Sequence, residues 1–282
     1  MTYSGPIVSV EWLKAHLDDP NIVVVDATVH LADTGRDAQA EYSVEHIPGA
    51  LFFDLTIIAD PDNPLPRKVP PKDLFARKVG ALGISNESHV IAYDTPGLYS
   101  AARVWWLFRL YGYDNVSILD GGLNAWNVAG MPTESGSVTA APARFEPGET
   151  RNLLALWPEV LEESRGGGQI LDARAPGRFA GTEVDRYPGV RMGHIPHSMN
   201  LYWADLLDPE SRCLLPTSEL RKRFTHAELT FDDQITLSCG SGLTACILAL
   251  GLHLIGKDDW RVYDGSWDEW GRNHDLPVAS DA

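Results

Sequence analysis

Cys239 heads the string Cys239-Gly240-Ser241-Gly242-Leu243-Thr244-Ala245, which holds the residue types a nucleophilic sulfur needs around it. The apolar run Ile235-Thr236-Leu237-Ser238 leads into it, and a stretch rich in apolar helix formers, Ala245 to Ile255, follows. That order predicts a strand, a tight loop and a helix. Gly240 and Gly242 let the loop curl so that successive backbone N–H groups point inward, and Thr244 stands at the capping position of the helix. A sulfur at the centre of such a nest faces amide donors and the positive end of a helix dipole, both of which favour thiolate over thiol. The thiolate is the nucleophilic form of cysteine. The expectation is therefore an ionised sulfur within reach of solvent. Most cysteines are instead small core hydrophobes. Cys246, on the helix after the loop, and Cys213, after the Asp208-Pro209 turn, are read that way.

Composition narrows the chemistry. The chain has 282 residues, enough for two domains of ordinary size, and its 44% hydrophobic and 22% charged content fits a soluble globular protein. A net charge of −16 argues against nucleic acid or an anionic membrane surface as partner, and it obliges any anionic substrate to find a locally basic pocket. Three cysteines without paired spacing argue for a reducing compartment rather than a disulfide framework, and no Cys/His cluster with metal-ligand spacing occurs. The N-terminal segment lacks the basic leader and apolar core of a signal peptide, and no apolar run reaches the roughly 18–20 residues of a membrane span. The reading is a cytoplasmic protein.

The elements that must position the loop occur twice. IVVVDATV (22–29) matches QILDARAP (169–176), HIPGALFFDL (46–55) matches HIPHSMNLYW (194–203), and VSILDGGLNAW (116–126) matches WRVYDGSWDEW (260–270). Asp26 against Asp172, His46 against His194 and Asp120 against Asp264 give offsets of 146, 148 and 144 residues, so the second half duplicates the first. Each copy alternates short β-rich runs (22–26, 89–93, 116–119; 169–172, 234–238, 260–263) with helical patterns such as Val10–Leu17, Leu74–Leu82, Ala101–Leu110 and Ser218–Phe224. Ser9 and Ser218 are read as N-caps. The pattern predicts an α/β fold, each copy a parallel sheet flanked by helices, with ligands at the carboxyl ends of the strands. The boundaries are drawn at 1–135 for the first domain, 136–150 for a Ser/Ala/Pro/Gly-rich linker and 151–282 for the second. Aligning Gly97-Leu98 with Gly242-Leu243 puts Asp94 where the second copy has Cys239, which predicts a non-catalytic first domain. His46, His194, Asp26 and Asp172 recur in both copies and read as structural. Trp105, Trp106, Trp126, Trp267 and Trp270 read as packing residues.

A Cys-led six-residue loop between strand and helix, followed by DGSWDEW (264–270), resembles the rhodanese superfamily of sulfurtransferases. The CGSG string with its following Thr-Ala is similar to the loop of the 3-mercaptopyruvate sulfurtransferases. The resemblance spans nearly the whole chain and implies tandem rhodanese-like domains without a cofactor. It also implies a Cys239 persulfide held by the nest of Gly240, Ser241, Gly242, Leu243 and Thr244. The sulfur donor is then 3-mercaptopyruvate, with thiosulfate as alternative, and the acceptor a thiol, a thioredoxin-like protein or cyanide. A persulfide carrier serving a partner protein is a third reading.

Thiosulfate-specific relatives place basic residues directly after the cysteine, whereas Gly240 and Ser241 are neutral and better suit a monoanionic donor. The family's arginine in an Arg-Phe pair is matched by Arg178, and its second arginine falls at Tyr187, one position after Arg186. Arg178 and Arg186 are therefore the candidates to grip the donor's carboxylate. Arg191 and, in the first copy, Arg67 and Lys68 are the candidates to steer an anion. Some relatives draw a serine-protease-like Asp and His from the first domain. The segment 54–71 contains no His, so that relay is not carried over. Rhodanese-fold phosphatases need an arginine six places after the cysteine to clamp phosphate, and Ala245 stands there instead.

Overall fold

The two stretches of matching sequence build two sheets with one topology. The computed structural model describes residues 5–31 and 34–282. Met1 to Ser4 of the N-terminal segment lie outside the described residues. The first sheet contains β1 (Ile7–Val8), β2 (Ile22–Asp26), β3 (Leu51–Phe52), β4 (His89–Tyr93) and β5 (Val116–Leu119), in the order β1-β5-β4-β2-β3. The second contains β6 (Leu154–Ala155), β7 (Gln169–Asp172), β8 (Ser198–Asn200), β9 (Ile235–Ser238) and β10 (Trp260–Tyr263), in the order β6-β10-β9-β7-β8. The orders are the same once the second set is renumbered from its own first strand, and every pairing is parallel.

Parallel strands need crossovers, and the crossovers put helices on both faces of each sheet. This is why β4 and β9 are apolar-rich and buried at every position rather than alternating. The helix after β4, Ala101–Leu110, and the helix after β9, Ala245–Leu254, are buried nearly all round, as expected for an element enclosed by its own domain. The long helical patterns are found close to their predicted bounds, at Val10–His16, Lys72–Ala81, Ala101–Leu110 and Thr217–His226. Ser9 caps its helix by accepting from the Trp12 N–H at 3.2 Å. Ser218 does not act as a cap: the helix starts earlier, with Pro216 at the N-cap and Ser218 inside the first turn.

The duplicated residues do duplicated work. Trp126 Nε1 donates to the Pro132 carbonyl and Trp270 Nε1 to the Pro277 carbonyl. The rings sit in equivalent core clusters, with Ile47 and Tyr93 in one and Ile195 and Tyr263 in the other. His46 and His194 lie in isolated antiparallel bridges, to Glu134 and Ala279 respectively. Their Nδ1 atoms face the Tyr42 and Phe179 carbonyls, so both imidazoles serve the turn.

The chain divides into one unit of residues 1–151 with 210–213 and another of 152–209 with 214–282. The segment 136–150, expected as a linker, is packed onto the first unit. The Ala143 N–H bonds to the Gly80 carbonyl, and Phe145 sits edge-on to Phe75, Phe108 and Tyr113. Cys213 also belongs to the first unit and is half-buried there, while Cys246 is fully buried.

Register settles which residues correspond. Asp26 pairs with Tyr93 and Asp172 with Ser238, so the residues just beyond these pairs, Asp94 and Cys239, occupy the same place in their sheets. Asp94 is fully buried, and its carboxylate accepts from the N–H groups of Ser100 at 2.6 Å and Ala101 at 2.8 Å. Burial pushes its carboxyl above the ordinary aspartate range, outweighing those amide donors. The first unit thus fills its own amide nest with a side-chain carboxyl. Replacing Asp94 with Ala strands two buried N–H groups. It is expected to lower stability by about 1–3 kcal/mol in urea unfolding.

Candidate active site

Cys239 follows directly on β9, where the chain leaves the sheet's carboxyl edge. Two turns fold against each other there. The Trp267 N–H donates to the Cys239 carbonyl at 2.9 Å and the Asp268 N–H to the Gly240 carbonyl at 2.8 Å. The Cys239 N–H donates to Ser266 Oγ at 3.1 Å, and that hydroxyl donates to the Tyr263 carbonyl at 2.7 Å. The loop that carries the sulfur is therefore hung from the turn after β10, residues 264–268.

The Gly242 N–H points at Cys239 Sγ, 3.1 Å away, and Ser266 Oγ lies 3.8 Å from the same sulfur. Gly242 has φ +83°, and a Cβ on it would fall 2.6 Å from the Asp264 carbonyl oxygen, so both the backbone and the space demand glycine. The amides of Leu243 and Thr244 donate to no acceptor among the described residues. Loop N–H groups at a helix N-terminus provide an anion-binding concavity. Thr244 occupies the N-cap position, but its side chain makes no capping bond.

The expectation of a solvent-reachable sulfur is corrected: Cys239 is 1% exposed. Its surroundings are nevertheless polar main chain and hydroxyl rather than hydrocarbon alone. Cys246 Sγ, in the first turn of the helix, lies 3.3 Å from the Gly242 carbonyl and helps to fix the loop.

The rhodanese-like domain model matches residues 9–129 and again 157–273. This chain belongs to the rhodanese family. It is 40% identical to the human 3-mercaptopyruvate sulfurtransferase, over 94% of this chain and 91% of that one. It is also 40% identical to the mitochondrial thiosulfate/3-mercaptopyruvate sulfurtransferase 1 of Arabidopsis thaliana, over 98% of this chain and 79% of that one. The crystal structure of SseA from Escherichia coli, described as a 3-mercaptopyruvate sulfotransferase, superposes with a TM-score of 0.85. The identity there is 36%, covering 94% of this chain and 99% of that one.

Within this rhodanese fold the sequence-predicted cations fall in different situations. Arg178 lies half-buried in the short helix Pro176–Ala180, and its guanidinium has no hydrogen-bond or ion-pair partner among the described residues. Arg186 is exposed, and its side chain is likewise without a partner among those residues. Arg191 is otherwise engaged: its guanidinium donates to the carbonyls of Gly271, Leu276, Trp270 and Asn273, which ties down the C-terminal turn rather than steering an anion. Arg67 and Lys68 lie in the first unit. Arg67 is in the left-handed region at φ +58° with its carbonyl held by Arg103, and Lys68 is 3% exposed.

Three residues of this site escaped the sequence reading. Ser266 was hidden inside the DGSWDEW string, although the Ser-for-Gly difference from the first copy's DGGLNAW was a usable signal. Tyr187 packs on the loop, since a Cβ on Gly240 would lie 2.8 Å from its Cε2 and 3.0 Å from its hydroxyl. Its signal was the departure from arginine at that position.

The third is Arg174. Its guanidinium grips Asp172 in a bidentate pair, reaches Asp185 at 3.0 Å, donates to the Gly193 carbonyl and lies 4.4 Å from the Trp267 ring centre. Because Trp267 in turn holds the Cys239 carbonyl, Arg174 couples the segment bearing Arg178 and Tyr187 to the Cys239 loop. Both carboxylates and the guanidinium are almost wholly buried. Arg174→Ala is expected to cost about 3–5 kcal/mol in urea unfolding, because it strands two buried carboxylates. Arg174→Lys should recover only part of that, since an ammonium cannot reproduce the fork.

Proposed function

We propose that this rhodanese-family chain is a 3-mercaptopyruvate sulfurtransferase with Cys239 as its nucleophile. The observation that carries the reading is the Cys239 sulfur held by the Gly242 amide inside a loop, residues 240–244, with no basic side chain. Main-chain dipoles stabilise one negative charge without demanding a second, which suits a monoanionic donor.

In the reaction, the Cys239 thiolate attacks the sulfur of 3-mercaptopyruvate. The bond between that sulfur and carbon 3 breaks, its electron pair goes to carbon as the enolate, and the proton of the donor's thiol ends on that carbon to give pyruvate. Cys239 keeps the sulfur as a persulfide anion. An acceptor thiol then attacks the outer sulfur, carries it away and regenerates the Cys239 thiolate. The amides of Gly242, Leu243 and Thr244 serve as the donors that hold each sulfur anion, aimed at where charge develops. The partnerless guanidinium of Arg178 is assigned to the donor's carboxylate, with Arg186 as a second, outer cation. Asp94 in the cysteine's place leaves the first domain without a nucleophile, so it is read as a non-catalytic partner.

The acceptor is assigned to a small thiol, a thioredoxin-like protein or cyanide, and the net charge of −16 supports none of the polyanionic partners. A reducing, cytoplasmic setting fits the three free cysteines. No helix among the described residues is long and apolar enough to cross a membrane, and no group of metal-ligating side chains occurs among them.

Incubation with 3-mercaptopyruvate is expected to release pyruvate and to add the mass of one sulfur atom to the protein, and Cys239→Ser should abolish both. Faster turnover of thiosulfate than of 3-mercaptopyruvate would contradict the donor assignment. Arg178→Ala should raise KM for 3-mercaptopyruvate about tenfold or more, the effect of losing a charge-assisted hydrogen-bonded pair. An unchanged KM removes Arg178 from the site.

A further inference from the structure

The two halves of the chain place the same turn against the same loop but differ at one residue. In the first unit the turn reads Asp120-Gly121-Gly122, and Gly122 adopts φ +58°. In the second it reads Asp264-Gly265-Ser266, and Ser266 adopts φ +51°. Glycine enters this left-handed region without steric cost, whereas any residue with a Cβ is strained there. The unit with an aspartate at the loop head uses glycine at this point, and the unit with a cysteine uses a strained serine. A strained conformation persists only where the surrounding structure holds it, and such positions cluster at functional sites.

What the serine adds is its hydroxyl. Ser266 is fully buried, and its Oγ is hydrogen-bonded on two sides, accepting the Cys239 N–H and donating to the Tyr263 carbonyl. The hydroxyl donates to the Tyr263 carbonyl at the end of β10, 2.7 Å away, and the same oxygen lies 3.8 Å from Cys239 Sγ. In the first unit Gly122 has no hydroxyl to offer. There the amide of the next residue, Leu123, donates to the Asp94 carbonyl, as Trp267 does to Cys239. The backbone clamp is thus common to both units, and the hydroxyl is specific to the one that bears the sulfur.

We infer that Ser266 is a positioning residue for the sulfur-transfer step. Its hydroxyl pins the Cys239 amide, fixes the direction of the Cα–Cβ bond and so keeps Sγ in line with the Gly242 N–H. The inference rests on the reading of Cys239 as nucleophile, and it goes beyond that reading by assigning the strain at Ser266 to the alignment of the sulfur. The occupancy of the left-handed region by serine is the structural cost of that alignment.

Two variants separate the hydroxyl from the strain. Ser266→Ala deletes the hydroxyl and keeps the strained backbone, whereas Ser266→Gly deletes the hydroxyl and relieves the strain. Both are measured for kcat and KM with 3-mercaptopyruvate, for thermal unfolding, and for the rate at which iodoacetamide alkylates Cys239, followed by mass spectrometry. Both variants should lose about tenfold or more in kcat with KM within about twofold, and should alkylate severalfold more slowly than the parent, despite melting at different temperatures. Activity that follows the melting temperature, with Ser266→Gly near the parent and Ser266→Ala low, overturns the inference, as does parental kcat in either folded variant. The alkylation rate needs no sulfur donor. It therefore still decides the role of Ser266 if the parent protein proves unable to release pyruvate from 3-mercaptopyruvate, an outcome that would count against the donor assignment alone.

Discussion

The contact between the Gly242 amide and the Cys239 sulfur is the constraint around which the second domain is arranged. A backbone N–H can be aimed at the residue three places earlier only if the chain turns sharply, and here the turn passes through a left-handed glycine. That glycine must also clear the Asp264 carbonyl, so the loop after β9 and the turn after β10 have to be built together. Parallel pairing of β9 with β10 brings their carboxyl ends to the same edge. The hydrogen bonds from Trp267 and Asp268 then lock the two turns. Arg174 extends the same lock to the segment bearing Arg178 and Tyr187, through its carboxylate pairs and its stacking on Trp267.

Duplication displays the alternative solution to one electrostatic problem. A loop of inward-facing amides at the start of a buried helix attracts negative charge whether or not chemistry is performed there. The first unit satisfies the demand internally with the Asp94 carboxylate, bonded to Ser100 and Ala101. The second leaves the Leu243 and Thr244 amides without an acceptor among the described residues, beside the Cys239 sulfur. One thiol in place of one carboxylate leaves the second nest without the internal plug that fills the first.

Much of this was legible in the sequence because it depends on local pattern. Buried parallel strands write themselves as continuous apolar runs, and the duplication of Asp-Ala, His-Ile-Pro and Asp-Gly strings gave the two-unit plan before any geometry. The Cys239 loop was legible for the same reason, since glycines between a strand and a helix have few other uses. What was hidden depends on partners distant in the chain. Arg174 looked like one more arginine until Asp185, Gly193 and Trp267 were found around it. Arg191 looked like a cation available to an anion, but four carbonyls more than 70 residues further along the chain claim it. The segment 136–150 has the composition of a linker yet packs through Phe145, because one aromatic residue suffices to anchor it in a cluster. Burial of Cys239 was likewise unreadable, since local sequence sets the loop's shape and not what covers it.

The measurement that bears most directly on this account is an experimental structure of the protein trapped with its transferred sulfur. The account predicts the outer sulfur of a Cys239 persulfide inside the loop, within hydrogen-bonding distance of at least two main-chain N–H groups from Gly242 to Thr244. An outer sulfur directed away from those amides, held instead by a basic side chain or by no donor of the loop, would contradict it.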